Sequence, residues 1–171
     1  KEGFVYTCNP MNPKQVSRLE LSPETVDCIV FWTKNPDPMI DRLGELEPYP
    51  YYFQFTLTSY GTDIEANIPH KKEVMLPVFQ KLSTQIGSKR VIWRYDPILL
   101  TDEIDINYHL HYYKELARRL RGYTKRCVIS FVDLYKKTIS NTRELMMRVP
   151  TENEMRFLAQ KISIIAKDYG I

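Results

Sequence analysis

Four stretches of the chain begin with apolar residues and end with polar ones, and each has the length of one β-strand. Bulky β-branched and aromatic side chains fill their apolar parts, which is typical of covered strands. Segments with helical periodicity follow each of them, so strand and helix alternate along the chain. This alternation predicts parallel strands joined by right-handed crossovers. The predicted strands span residues 28–33, 51–58, 90–96 and 127–133, and the predicted helices lie near 37–46, 71–86, 103–121 and 151–169.

Two shorter apolar segments precede this alternation. They surround Asn9-Pro10-Met11-Asn12-Pro13, a strong turn signal, and predict a β-hairpin or a pair of extended segments. Ser22-Pro23-Glu24 resembles the start of a short helix.

Local signals define the ends of the helices. Asp37 followed by Pro38 predicts an N-cap and a first helical turn, and Pro77 predicts a kink or split in the second helix. Gly87 is placed as a C-cap. Thr151 to Glu154 form a capping box before the last helix, whose apolar stripe comprises Met155, Leu158, Ile162, Ile165 and Tyr169.

These elements fit one α/β domain over residues 1–171. Four strands are too few to close a barrel, and the last helix is expected to lead to a further strand. The sequence therefore predicts a partial TIM-like (β/α) barrel with parallel strands, the central segment of a larger barrel truncated at both ends.

The strand at 90–96 carries the most informative pair of residues. Alternate side chains of a strand share a face, so Ile92, Arg94 and Asp96 point the same way, and Pro97 is expected to end the strand's hydrogen bonding. Charged side chains on a covered strand are costly unless they are paired, and they often serve chemistry.

Polar residues also end the other three strands, and ligands bind at that end of parallel sheets. We assign Arg94, Asp96 and Lys34 as catalytic candidates. Lys34 and Arg94 supply positive charge, and Asp96 orients Arg94 or acts as an acid or base. The candidate ligand-binding residues are Gln54, Thr56, Thr58, Asn35, Ser130 and Asp133.

Metal binding finds little support in the sequence. Cys8, Cys28 and Cys127 are far apart and lack metal-ligand spacing, so no metal or cofactor is predicted within residues 1–171. Cys28 and Cys127 lie in strand segments and are expected to be small core residues. His109 and His111 are two apart on a predicted helix and do not share a face, and His70 is expected to be exposed.

The net charge of +3 is too small to imply nucleic acid. The basic residues of 114–126 are expected to form a solvated face at a helix end. No apolar segment approaches the length of a membrane span, and an odd number of cysteines without a framework suits the cytoplasm. The oligomeric state and the small-molecule ligand stay open.

Five segments carry a resemblance to the bacterial domain-of-unknown-function family 1848. They are residues 9–17, 30–36, 52–58, 91–97 and 127–133, which include the strings W-T-K-N-P and W-R-Y-D-P. The resemblance covers essentially the whole chain. It implies longer family members that open with a Ser-Arg-Arg-Thr-Asp string and finish with an iron–sulfur-like cysteine cluster, neither of which occurs in this sequence.

The resemblance also implies a barrel similar to that of radical S-adenosylmethionine enzymes, including the spore photoproduct lyase group. The intact protein is then expected to hold an iron–sulfur cluster and S-adenosylmethionine. Our first interpretation is an enzyme that binds a small polar or anionic ligand at the strand ends. The alternatives are a nucleic-acid-associated or other binding module, using the basic stretch 114–126 and the tyrosines, and a barrel with only a structural role.

Overall fold

A computed structural model of the chain describes residues 3–132 and 146–171. An antiparallel hairpin comes first, and a four-stranded parallel sheet with helices follows. Short 3₁₀ turns occur at Leu43–Leu46 and Ser88–Arg90, and a π-helical turn at Lys71–Met75. The main elements are β1 (Phe4–Asn9), β2 (Asn12–Glu20), β3 (Ile29–Thr33), α1 (Asp37–Ile40), β4 (Tyr51–Thr56), α2 (Leu76–Ile86), β5 (Val91–Ile98), α3 (Ile106–Leu120), β6 (Cys127–Phe131) and α4 (Glu152–Asp168).

The four strands β3 to β6 are adjacent, parallel and in chain order, as the alternation predicts. The α/β class with a parallel sheet is therefore confirmed. Within the described residues the sheet is open, because β3 and β6 each pair with one neighbouring strand. The hairpin prediction is also confirmed, with β1 and β2 pairing antiparallel.

One face of the sheet forms the hydrophobic core. Phe55 of β4 packs against Phe79 of α2 with ring centres 4.9 Å apart, and Trp93 of β5 stacks on Tyr113 of α3 at 4.7 Å. All four of these side chains are fully buried, and α4 adds Leu158 and Ile162 to the same cluster. Truncating one such aromatic side chain to alanine typically costs about 3–5 kcal/mol, so these contacts fix the sheet beneath the helices.

The opposite face carries no helix within the described residues. Val30 and Trp32 of β3 are exposed there, and Gln54 of β4 and Arg94 of β5 are half-buried. Strand alternation explains the division, because the residues between them on each strand face the core. The candidate site therefore lies on the helix-free face.

Strand β5 continues past Pro97, which corrects the expectation that this proline ends it. Pairing with β6 shifts after Tyr95 and resumes where Ile98 faces Phe131. The backbone N–H of Val132 donates to the Ile98 carbonyl at 2.8 Å. Pro97 removes one donor from the ladder, so the register shifts and the strand continues.

Three further local predictions need correction. Ser22 begins a hydrogen-bonded turn to Thr25 rather than a helix, and Cys28 is exposed just before β3 rather than part of the core. Asp37 is the first residue of the short α1, whose N-cap is Pro36. The cap is supplied instead by Asn35, whose side-chain oxygen accepts from the Asp37 N–H at 3.1 Å.

The other helix ends agree with their sequence signals. Thr151 and Glu154 form the reciprocal capping box of α4, and Gly87 follows α2 with a φ of 93° that favours glycine. Pro77 lies in the first turn of α2, where the chain changes from the π-helical turn to an α-helix. No helix in residues 3–132 or 146–171 is long and apolar enough to cross a membrane.

Candidate functional site

Arg94 and Asp96 form an ion pair on the helix-free face of the sheet. The Nη2 of Arg94 donates to Oδ2 of Asp96, and the Ser130 hydroxyl donates to Oδ1 of the same carboxylate. The side chains of Arg94 and Asp96 are 14% and 15% exposed. Both carboxylate oxygens therefore accept bonds, which holds Asp96 in one orientation.

The same guanidinium is fixed from the other side by β3 and β4. Arg94 Nη1 donates to Gln54 Oε1 at 3.1 Å, and Trp32 Nε1 donates to that oxygen at 2.7 Å. The guanidinium also lies over the Trp32 ring, with its carbon 4.1 Å from the ring centre. Four neighbouring strands thus contribute to one connected network.

Strand register explains why these residues meet. Trp32 is the pairing partner of Gln54, and Thr56 is the partner of Arg94. In a parallel sheet, paired residues point to the same face, so one alternation rule places the whole row together.

The Arg94 network is incomplete at one atom. Its Nε–H is buried and has no hydrogen-bond partner among the described residues. Such an unsatisfied donor costs about 1–3 kcal/mol, and native proteins rarely leave one without a reason.

A second cluster lies at the carboxyl ends of β3 and β4. Glu65 is buried and accepts hydrogen bonds from the ammonium groups of Lys34 and Lys71. The Thr58 hydroxyl donates to the same carboxylate at 2.7 Å, and Lys71 also donates to the Tyr60 carbonyl at 2.5 Å. Burial opposes ionisation of Glu65, but these hydrogen bonds outweigh it and lower the pKa of the carboxyl.

Lys34 connects this cluster to the Arg94 network. An open cavity of about 360 Å³ is lined by Lys34 together with Trp32, Thr56, Arg94 and Asp96. The Lys34 side chain is 41% exposed, and among the described residues its ammonium donates only to Glu65. It therefore retains donors that can bind a ligand in this cavity.

The structure separates the predicted site residues into two groups. Arg94, Asp96, Lys34, Gln54, Thr56 and Ser130 come together around the network and its cavity. Asn35 caps α1, and Thr58 is buried against Glu65, so neither faces the cavity. Asp133 lies outside the described residues.

Three residues of the site are missing from the sequence interpretation. In the sequence, Trp32 resembles an aromatic residue that packs in the core from a strand. In the structure it is 68% exposed. Glu65 and Lys71 lie in a polar loop and at the start of a helical pattern, where charged residues are common. Only the folding of that loop onto β4 brings them to Lys34, so no local spacing could have indicated them.

His109 has a structural environment. It is fully buried, its Nε2 bonds the Leu99 carbonyl at 2.8 Å, and its Nδ1 bonds the Tyr95 hydroxyl at 2.9 Å. Burial lowers the pKa of His109, so the neutral ring links α3 to the end of β5. His111 is exposed on the neighbouring face, and His70 is exposed as predicted.

Within residues 3–132 and 146–171, no three histidine, cysteine, aspartate or glutamate side chains are grouped to hold a metal ion. Cys8 is exposed on the hairpin, Cys28 is exposed before β3, and Cys127 is partly buried in β6. These cysteines do not fit the ligand set of an iron–sulfur cluster, which needs several thiolates around one centre.

Comparison with known proteins gives one match. Searches of curated proteins and of solved structures return no significant similarity. A family model for a domain of unknown function matches residues 1–171, the whole chain. The chain therefore belongs to this family, the domain of unknown function DUF1848.

Proposed function

We propose that this chain forms the ligand-binding part of a TIM-barrel-like enzyme, and that its helix-free face binds a small anionic or polar molecule. The observation that carries the proposal is the ion pair of Arg94 and Asp96 beside Lys34, at the carboxyl ends of adjacent parallel strands. This end of such sheets is where ligands usually bind.

The charge around the cavity favours an anion. Arg94 and Asp96 neutralise each other, whereas the two lysines at Glu65 outnumber that single carboxylate. Among the described residues the Lys34 ammonium donates only to Glu65, so it keeps donors for a ligand. Lys34 would bind an anionic group of the ligand directly. Arg94, which also lines the cavity, would stabilise the negative charge of that group.

The remaining residues divide between positioning and contact. Asp96 has both oxygens engaged, which favours a role in orienting Arg94 over a role as acid or base. Thr56 lines the cavity, and no hydrogen bond engages its hydroxyl among the described residues. Trp32 offers an exposed ring face against which a planar ligand could stack.

Calorimetric titration of the intact protein with inorganic phosphate and with succinate tests this site. Lys34→Gln should weaken binding of either anion by about tenfold, the usual loss of one charge-assisted bond. Glycerol, which carries no charge, should bind the wild-type protein no better than it binds Lys34→Gln. Lys81→Gln is the matched control, because Lys81 is exposed and paired with Asp41 at 3.1 Å. Absence of anion binding, or equal losses in both variants, contradicts the proposal.

The family resemblance adds a finer proposal for the intact protein, namely radical S-adenosylmethionine chemistry at an iron–sulfur cluster. The described cysteines do not form its ligand set, so the cluster's thiolates would come from outside the described residues. Visible absorption with iron and sulfide assays, before and after anaerobic reconstitution, tests this part. A brown protein with stoichiometric iron supports it, and a colourless protein without iron after reconstitution refutes it.

A further inference from the structure

A second cavity, of about 420 Å³, lies on the helical side of the structure. It is lined by residues of the segment 58–72, by Leu76 at the start of α2, and by residues of α3 between Tyr112 and Arg119. Neither Arg94 nor Asp96 lines it, so it is separate from the site on the helix-free face. Its volume is in the range that small-molecule sites occupy.

Apolar side chains form the inner wall of this cavity. Leu76 of α2 and Leu116 of α3 are buried at its base, Ile68 is half-buried, and Tyr112 is 41% exposed beside them. Burying an apolar ligand surface against such a wall is favourable by roughly 25 cal/mol per Å². The wall therefore suits the hydrocarbon or aromatic body of a ligand.

The charged groups of the cavity differ in whether they already have partners. Glu115 pairs with Arg118 at 3.0 Å, and Glu65 is bound by two lysines. Lys71 donates to Glu65, to the Tyr60 carbonyl and to Thr58, which uses all three of its N–H groups.

Two lining cations remain without an ion pair among the described residues, Arg119 and Lys72. Arg119 is half-buried on α3, and Lys72 is exposed in the π-helical turn Lys71–Met75. Both carboxylates of the cavity are neutralised, so its unsatisfied charge is positive. An arginine in this position can bind a carboxylate with two parallel hydrogen bonds.

We propose that this cavity binds an amphipathic carboxylate, with its apolar body against Leu76 and Leu116 and its carboxylate bound by Arg119, while the charge of Lys72 adds to the attraction. An acyl chain and an aryl group share this chemistry. The two cavities share no lining residue, and Glu65 of this cavity also accepts a hydrogen bond from Lys34 of the other.

Calorimetric titration of the intact protein with octanoate, 3-phenylpropionate and 1-octanol tests the proposal. At least one carboxylate should bind, and about tenfold more tightly than octanol, because the alcohol lacks the charge-assisted bonds. Comparison of octanoate with phenylpropionate distinguishes an acyl from an aryl ligand. Failure of both carboxylates to bind, or equal affinity for octanol, overturns the proposal.

The neighbouring arginines supply a matched pair of variants. Arg119→Gln should weaken carboxylate binding by about tenfold and leave octanol binding unchanged. Arg118→Gln should not change either, because Arg118 is exposed, pairs with Glu115 and does not line the cavity. Lys72→Gln is a second test. It should weaken carboxylate binding and leave thermal stability unchanged, because Lys72 is exposed. Equal effects of Arg118→Gln and Arg119→Gln contradict the assignment.

Comparison of phosphate and octanoate affinities distinguishes failure of this proposal from failure of the proposed function. Arg119→Gln should leave phosphate affinity unchanged. Lys34→Gln should leave octanoate affinity unchanged, because Glu65 keeps its ion pair with Lys71. Loss of both ligands in either variant contradicts two independent sites.

Discussion

The guanidinium carbon of Arg94 lies 4.1 Å from the centre of the Trp32 ring. Gln54 binds both side chains through one oxygen, so the indole is held in a defined orientation. One ring face is occupied by the cation, and 68% of the residue is still exposed. Trp32 is thus a fixed aromatic surface at the edge of the candidate cavity.

The two tryptophans should differ strongly in solvent access. Trp32 is exposed and Trp93 is fully buried. Acrylamide should therefore quench the emission of Trp32 and leave that of Trp93 nearly unchanged. In Trp32→Phe, most of the quenchable fluorescence should disappear. A Trp32→Phe variant quenched as strongly as wild type contradicts the exposed position of this ring.

The alternation of side chains along a strand was sufficient to predict that Arg94 and Asp96 share one face of β5, and that Gln54 and Thr56 share one face of β4. The alternation of strands and helices along the chain was sufficient to predict the parallel order of the four strands, because each helical segment returns the chain to the same end of the sheet. Residue type and spacing carry this information directly.

Tertiary contacts decide the residues that the sequence could not predict. Glu65 lies 31 positions from Lys34 in the sequence, and their contact depends on how the loop folds over β4. Asn35 has a polar side-chain amide of the kind that binds ligands, but its oxygen caps α1 instead. Side-chain amides and carboxylates serve both purposes, so their type alone does not distinguish them.

His109 should make stability depend on pH. Burial lowers the pKa of the folded His109 below its ordinary value of 6.5. Below about pH 6.5 the unfolded chain binds a proton that the folded chain does not, so stability is complete above that pH and falls as the pH decreases. The slope from this group approaches about 1.4 kcal/mol per pH unit.

Urea denaturation between pH 8 and 5 measures this dependence. His109→Gln should be less stable at pH 8 and should lose the part of the slope that His109 contributes. His111→Gln is the control, because His111 is exposed on the same helix and should leave the slope unchanged. Identical slopes for wild type and His109→Gln contradict the assignment.

Glu65→Gln should destabilise the fold. The change leaves Lys34 and Lys71 without their shared carboxylate, and the Lys71 side chain is only 18% exposed. Removing one partner of a buried pair costs about 3–5 kcal/mol, and the exposure of Lys34 reduces the expected cost to about 2–3 kcal/mol. Glu152→Gln, in an exposed pair with Arg156, should cost less than about 0.5 kcal/mol. Equal urea midpoints for the two variants contradict the role of Glu65.

Apart from Arg119, which is half-buried and lines the second cavity, the basic residues of 114–126 should behave as a solvated face. Arg118 is exposed and already paired with Glu115. We expect no tight binding of duplex DNA at physiological salt in a fluorescence anisotropy titration. Sub-micromolar binding that falls steeply with salt, and is lost on charge reversal of Arg118 and Arg119, favours the nucleic-acid alternative instead.

The double variant Arg94→Met/Asp96→Leu tests the central claim most directly. Each single change leaves a charge of a half-buried pair unmatched and should cost several kcal/mol, whereas the double variant removes both charges and should fold nearly as well as wild type. Thermal melts and phosphate titrations on wild type, both singles and the double provide the comparison. The account predicts that the folded double variant loses phosphate affinity by about tenfold or more. Unchanged phosphate binding in a folded double variant would remove Arg94 and Asp96 from the ligand site.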